Sequence, residues 1–433
     1  MRRSLLGTTV FWAVDLRFVA SLVCCGVFVL SPPLSAEWPQ WRGPHANGSV
    51  AGPARVAPLP EQLKTVWKRQ VGGGYSGPVF RGDRVWVHSR QDNDEVVHCL
   101  ALSSGESVWS HSYSAPFRQD EDALSHGLGP YATPALKDGR LFTFGVNSVL
   151  IAWEAATGEI LWRRDSADEF NPSSPFFGAA ASPILWQDLV FVHLGGHERS
   201  HIENPSQGAM VALRVTDGRE VWRWTGDGPA VGATPVILEI HGEAQLVFKT
   251  KKMMVGAEVR TGRELWRIPY VVSQDNTIVT PLVVDGRLIT SDFDRGVEAW
   301  EIRARGSYWT VKQAWKTRSV SMFMSSPVVA GGLLVGFSHM HRGQLFLLDL
   351  KSGDVPWQGS GRSGEHASLI AWGDEAMVFM DTGSLIIGRI EERRFLELEK
   401  YQLGESVAWS HPAVDGSHLI YRDGEDLVVR LLE

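Results

Sequence analysis

Cysteine is nearly absent from this chain of 433 residues, which contains three. Cys24 and Cys25 lie close to the start, leaving Cys99 alone in the rest. One thiol makes no intrachain disulfide. No Cys-x-x-Cys-His run is present to attach a haem, and no paired cysteines to hold zinc. Positive charge is also short: 42 Lys and Arg stand against 49 Asp and Glu, a formal charge of −7, with no basic run. That balance argues against nucleic acid as the partner and against docking on anionic lipid by charge alone. Long apolar runs are missing too. The run 18–30 has 13 residues, short of the roughly 20 that cross a bilayer as a helix. With Arg2 and Arg3 ahead of it and Leu34-Ser35-Ala36 behind, it reads as a secretory signal cut after Ala36, an uncleaved anchor being the alternative. No small residue stands just before Cys24 or Cys25 to suit a lipoprotein signal. The expected organisation is a signal peptide at 1–36, an N-terminal extension at 37–61 and one folded body at 62–433. The mature chain is expected in the periplasm or cell envelope, without a transmembrane segment.

Tryptophan and glycine, by contrast, are plentiful, at 18 and 44 residues. Five segments share one frame, in which an apolar strand runs into Ser/Thr/Asp-Gly and a tryptophan follows four residues later. The pairs are Gly105/Trp109, Gly158/Trp162, Gly218/Trp222, Gly262/Trp266 and Gly353/Trp357. A degenerate copy surrounds Gly306, with Trp309 or Trp315 in the tryptophan's place. Alternating apolar residues make a strand, and the glycine makes a tight turn where positive φ costs little. The tryptophan on the returning strand is placed to pack on a neighbouring sheet.

A second landmark precedes each unit, usually a small residue followed by proline. The prolines are Pro78, Pro134, Pro183, Pro235, Pro281, Pro327 and Pro412, with Ser368-Leu369 as a weaker copy. Proline suits the first position of a strand, where no ladder hydrogen bond is lost. Intervals of 42 to 56 residues between landmarks suit four-stranded blades, and eight landmarks predict an all-β, eight-bladed propeller with antiparallel blades. The last unit has room for only three strands. The segment 64–71, Lys-Thr-Val-Trp-Lys-Arg-Gln-Val, is expected to supply its outer strand and close the ring.

The Ala-x-x-x-x-Thr-Gly-x-x-x-Trp frame resembles the repeat of the pyrroloquinoline-quinone (PQQ) propeller superfamily. Trp38-Pro-Gln-Trp41-Arg-Gly-Pro44 is similar to the mature start of exported members. The resemblance implies one of two activities. Some members are quinoprotein alcohol dehydrogenases with PQQ and calcium near the propeller axis. Others are non-enzymatic, including the propeller lipoprotein of the outer-membrane β-barrel assembly machinery. The adjacent cysteines typical of the larger dehydrogenases are present only as Cys24-Cys25, in the segment expected to be removed.

In a propeller, the blade-joining loops and the turns between second and third strands share one face, where binding usually sits. Those turns are polar here: His88, Arg90, His193, His197, Lys249, Asp292, Asp294, Arg295, His339, Asp381 and Arg422. The joining loops add His126, Tyr131 and Phe176-Phe177-Gly178. Together they predict a ring of ionisable groups at the channel mouth, suited to a polar small ligand or an envelope protein, against the alternative of solvated turns. His193, His197 and His201 offer a metal set, although Gly195-Gly196 disfavours a helix that would align them. Asp120, Glu121 and Asp122 are a candidate calcium cluster. Cys99 is expected to be a packing residue. The repeat tryptophans should pack between blades, leaving Trp186, Phe176 or Trp372 to stack on any quinone. The leading expectation is a non-catalytic binding or scaffold protein. The alternative is a PQQ- and calcium-dependent alcohol or sugar dehydrogenase using Asp292 and Asp294.

Overall fold

Each repeat frame folds into one small antiparallel sheet. In the third, strands Ile184–Trp186, Leu189–Leu194, Ala209–Arg214 and Glu220–Thr225 follow one another from inside to outside. The second and third strands are almost wholly buried, while the outer strand alternates. Buried strands therefore carry apolar residues on both faces, each face covered by an adjacent sheet. Eight such sheets succeed one another, giving the eight-bladed propeller that the landmarks predict. The computed structural model describes residues 37–50, 58–118, 126–166, 177–195, 208–226, 231–240, 242–272, 277–306, 308–404 and 409–432. The signal-like segment, the acidic run 120–122, Phe176, His197 and His201 lie outside them. Among the described residues no helix is long and apolar enough to cross a membrane.

Blade eight consists of Ala413–Val414, His418–Asp423 and Asp426–Leu431, and its outer strand is Thr65–Gln70. Thr65 pairs with Arg430 and Gln70 with Asp426, so the start of the propeller closes on its end.

The two sequence landmarks turn out to be joints. The indole N–H of Trp109 donates to Ala155 O of the next blade at 3.0 Å. Trp162 donates to Val215 O at 3.0 Å, Trp222 to Val259 O at 3.0 Å and Trp67 to Leu102 O at 2.6 Å. Each ring lies on the turn glycine of the neighbouring blade: a Cβ on Gly158 would come within 2.7 Å of the Trp109 ring. In the degenerate copy Trp315 does this, donating to Leu350 O at 3.1 Å. The Ser/Thr-Pro landmark stitches the inner strands together through hydroxyl acceptors. Gly77 N–H donates to Thr133 Oγ1 (3.1 Å), Thr133 N–H to Ser182 Oγ (2.9 Å), Ser182 N–H to Thr234 Oγ1 (3.1 Å), and Thr280 N–H to Ser326 Oγ (3.0 Å).

One feature lies beyond the four-stranded pattern. Glu37–Trp38 adds a fifth, innermost strand to blade one, pairing with Arg81 and Phe80. The chain then runs through the central channel. Pro39 O accepts Leu136 N–H of blade two, and Trp41 Nε1 donates to Thr280 Oγ1 of blade five at 3.0 Å. Arg42 donates to Pro327 O of blade six, and Val50 N–H to Ala371 O of blade seven at 2.8 Å. The segment 37–50 is thus an axial plug built by the Trp-Pro-Gln-Trp-Arg-Gly-Pro motif.

Candidate functional site

The polar turns between second and third strands do not form the solvent-facing ring expected from the sequence. Most of the described ones are buried, and three groups, around Glu95, Lys249–Asp292 and Arg422, clip one blade to the next. In blade one, the buried Glu95 carboxylate meets His88 Nε2 at 3.2 Å and Arg90 Nη2 at 3.3 Å, accepts the Tyr113 hydroxyl, and accepts Val146 N–H of blade two at 3.0 Å. Burial alone would raise its pKa, but the His88 charge and these hydrogen bonds outweigh it and hold the carboxyl below its ordinary value. Lys249 of blade four reaches into blade five, where its ammonium donates to Val279 O (2.8 Å), Ser291 O (3.1 Å) and Asp292 Oδ2 (2.5 Å). Burial pushes that ammonium's pKa down, partly offset by Asp292. Arg295 packs over the Tyr270 ring at 3.9 Å and pairs with Glu298 at 3.2 Å. Arg422 of blade eight donates to Gly72 O and His88 O of blade one, and burial lowers its pKa to about 10.

The remaining turn residues are dispersed. His339 stacks on Phe293 at 4.5 Å and faces the exposed Asp294 at 3.4 Å. Asp381 accepts Glu365 N–H at 2.9 Å. His193 is buried beside Phe248, and burial lowers its pKa to about 4. Cys99 is buried in the packing between blades one and two, its thiol pushed up to about 12, as a packing residue should be. Trp186 lies under Arg260 at 4.8 Å, and Trp372 is buried in the core formed with blade eight.

What opens on the loop face is a cavity of about 190 Å³ at the propeller axis. The residue two places before each landmark lines it, so every blade contributes one side chain or backbone position. Blades seven, eight, one and two give His366, Trp409, Tyr75 and Tyr131. Blades three to six give Ala180, Gly232, Ile278 and Met324. One half of the rim is therefore an aromatic crescent and the opposite half is small or aliphatic. His366 stacks on Trp409 at 5.2 Å, and Tyr75 packs against Trp409 at 6.2 Å and Tyr131 at 5.8 Å. His126 and Phe177 extend the crescent, with His126 edge-on to Trp409 at 5.7 Å. The plug contributes Trp41.

Of the residues singled out from the loops and turns, His126 and Tyr131 reach this cavity, as do Phe177 and Gly178. Sequence reasoning missed Trp41, Tyr75, Thr277, His366 and Trp409. The signal for most of them was the landmark itself, since a fixed offset from it marks the axis-facing position.

The described lining holds no Lys, Arg, Asp or Glu. Its imidazole at His366 is kept neutral by burial, with a pKa of about 4. These residues do not fit PQQ with calcium, because a polycarboxylate quinone wants cations and calcium wants several oxygen anions. Nor is Asp292 available, since its two oxygens already accept from Lys249, Tyr270, Ile278 and Val279. No group of three or more His, Cys, Asp or Glu suited to a metal occurs among the described residues.

Among curated proteins, the chain is 23% identical over 295 residues to a polyvinylalcohol dehydrogenase of Pseudomonas sp, covering 57% of this chain and 43% of that protein. It is 22% identical over 251 residues to outer membrane protein assembly factor BamB of Shewanella oneidensis, covering 54% of this chain and 59% of that one. The matches thus span about half the length of these relatives. The fold is similar to the crystal structure of BamB from Moraxella catarrhalis, with TM-score 0.61, 14% identity, and 86% and 98% of the two chains covered. It is equally similar to quinohemoprotein alcohol dehydrogenase from Comamonas testosteroni, with TM-score 0.63, 12% identity, and 92% and 80% covered. Residues 93–359 match the family model described as outer membrane protein assembly factor BamB, and on that match the chain belongs to this family of PQQ-like propellers.

Proposed function

We propose that this chain is an exported, non-catalytic binding propeller of the cell envelope, and that its axial pocket receives a ligand or a group on a partner protein. The observation that carries this reading is the lining of the pocket. Eight blades converge on a recess that is aromatic on one half and whose described lining holds no Lys, Arg, Asp or Glu, while Glu95, Lys249, Asp292 and Arg422 near the same face are spent on joining blades. A concave apolar site with a few polar groups is the usual form of a ligand site. Catalysis by a quinone would ask instead for anion and metal binding groups, which the described lining does not offer. The signal-like segment and the BamB-type family support export and an envelope setting.

The test is a titration of purified mature protein with PQQ and calcium, followed by absorbance and calorimetry, with dye-linked alcohol oxidation on the same samples. No saturable binding and no turnover are expected. Stoichiometric binding accompanied by turnover would overturn the reading in favour of a quinoprotein dehydrogenase.

A further inference from the structure

The rings around the axial pocket stand at angles to one another. Contacts among Tyr75, His126, Tyr131, Phe177 and Trp409 are inclined at 38° to 82° between ring planes, while His366 lies flat on Trp409 at 10°. Planes so inclined make the walls of a box and leave no parallel slot for a flat ring to stack in. The space is about 190 Å³, against the ~150 Å³ of a dry cavity that admits benzene, so it takes one compact group. Most polar groups of the lining are already engaged. The oxygens of Ser182, Thr234 and Ser326 accept backbone N–H groups, the Tyr131 hydroxyl donates to Gly127 O at 2.6 Å, and His366 meets Ser325 Oγ at 3.3 Å. The Thr277 hydroxyl is closed off inside the wall. The half-buried Tyr75 phenol and His126 imidazole remain, with no hydrogen-bond partner among the described residues. Burial keeps the Tyr75 phenol protonated, its pKa above the ordinary 10. Two free polar side chains are too few for a sugar, which carries a hydroxyl on nearly every carbon. A primary ammonium brings three N–H donors and finds no carboxylate in the described lining, so its desolvation goes largely uncompensated. A quaternary ammonium has no N–H to satisfy, and its diffuse charge is attracted to ring faces. The described lining has no Lys or Arg to repel it, and Arg42, beside Trp41 in the plug, is buried outside that lining with its guanidinium given to Pro327 O and Asn47 O.

We infer that the pocket is selective for a quaternary ammonium group, held by cation–π contact with the Tyr75–Trp409–Tyr131 crescent. Tyr75 and His126 serve the one oxygen that such a group commonly carries nearby, as choline does. The inference rests on the pocket being the binding site. The same chemistry has two sources, a free choline-like solute or the choline headgroup of a phospholipid.

The experiment is ligand-observed NMR and calorimetry on the mature protein with choline and 3,3-dimethylbutan-1-ol, which has the same shape and hydroxyl but no charge. It is run at pH 8, where an ordinary imidazole is neutral, and repeated on Trp409→Leu, Tyr75→Leu and Gly232→Leu. Gly232 lies outside the left-handed region, and an added Cβ meets Ile278 at 3.6 Å, so leucine there fills the pocket without backbone strain. Saturable one-to-one binding of choline is expected, at least about fivefold tighter than its neutral isostere, the size of a partly desolvated cation–π contact. Trp409→Leu and Tyr75→Leu should each shrink that ratio, and Gly232→Leu should abolish binding of both compounds. Co-sedimentation with phosphatidylcholine vesicles that choline displaces assigns the lipid headgroup as source, and choline binding without co-sedimentation assigns a free solute. Equal affinity for choline and the isostere in the unaltered protein overturns the inference. So does choline binding that survives Gly232→Leu, or a ratio untouched by both ring variants. If choline fails while a wider panel of neutral compounds still gives binding lost in Gly232→Leu, the quaternary ammonium class falls and the pocket reading stands. PQQ-dependent turnover removes the pocket reading itself.

Discussion

Lys249 and Asp292 are opposite charges with no exposed side-chain surface, held by an ion pair at 2.5 Å. Pairs of this kind contribute little net stability when intact, because desolvation offsets attraction, but removing one partner strands the other. Lys249→Met should therefore destabilise the protein by about 3 to 5 kcal/mol, read as a lower urea midpoint. A loss below about 1 kcal/mol would mean that Asp292 is not buried as a charge. The buried histidines act in a different pH range. His193 and His366 are held at about 4, and His411 at about 3, by burial, against an ordinary 6.5. Between pH 6.5 and about 4 the unfolded chain binds protons that the folded one refuses, so stability falls as the solution is acidified through that window. The gap at His193 corresponds to about 3 kcal/mol when fully expressed. His193→Leu should flatten the fall in urea midpoint between pH 7 and 4.5. An unchanged slope would clear His193 of the effect.

At the scale of the element, the blade joints show why the repeat has its form. The glycine of each frame serves two ends, because it takes positive φ in the turn and leaves space for the tryptophan of the preceding blade. Gly158 has φ +77° with the Trp109 ring above it, whereas Gly286 has φ +70° with nothing near its missing Cβ. Both should lose about 1 kcal/mol to backbone strain on replacement by alanine. Gly158→Ala should lose a further 1 to 3 kcal/mol (roughly) from overpacking, and equal thermal shifts for the two variants would deny the interlock. The joint between blades four and five lacks the motif contact, since Trp266 donates to Gln245 of its own blade at 2.7 Å. There the Lys249–Asp292 pair takes over. This division explains what was legible beforehand. Blade number, ring closure and the packing role of the tryptophans follow from periodicity, which fixes strands and turns. Periodicity does not say which polar turn is buried against its neighbour, so Lys249, Asp292 and Arg422 read as solvent-facing groups although they are clips. The pocket was visible only at His126, Tyr131, Phe177 and Gly178. Trp41 arrives through the channel from a segment outside the repeats, and no local pattern in 37–50 announces that it threads the ring.

For the whole molecule, closure depends on a strand drawn from far away in sequence. A propeller whose last blade lacks its outer strand leaves Asp426–Leu431 as an open edge, and an open edge invites pairing with another chain. Thr65–Gln70 covers that edge, and Trp67 fastens it to blade one through Leu102 O, its ring lying on Gly105. The contact repeats at Trp222, which donates to Val259 O at 3.0 Å between blades three and four. The two tryptophans are chemically alike but topologically different. The strand of Trp222 stays covalently joined to the rest of blade three when Trp222 is lost, whereas the strand of Trp67 is held to the rest of blade eight by non-covalent contacts alone. Either Trp→Ala change should cost about 3 to 5 kcal/mol. Only Trp67→Ala should also release the closing strand, giving protease cuts around 58–71 ahead of global unfolding and a concentration-dependent rise in mass by light scattering. Trp222→Ala should keep the mass of the unaltered protein at the same concentrations. If both variants associate equally, the closing strand is held by its backbone ladder alone, and the weak point of the ring lies at another joint.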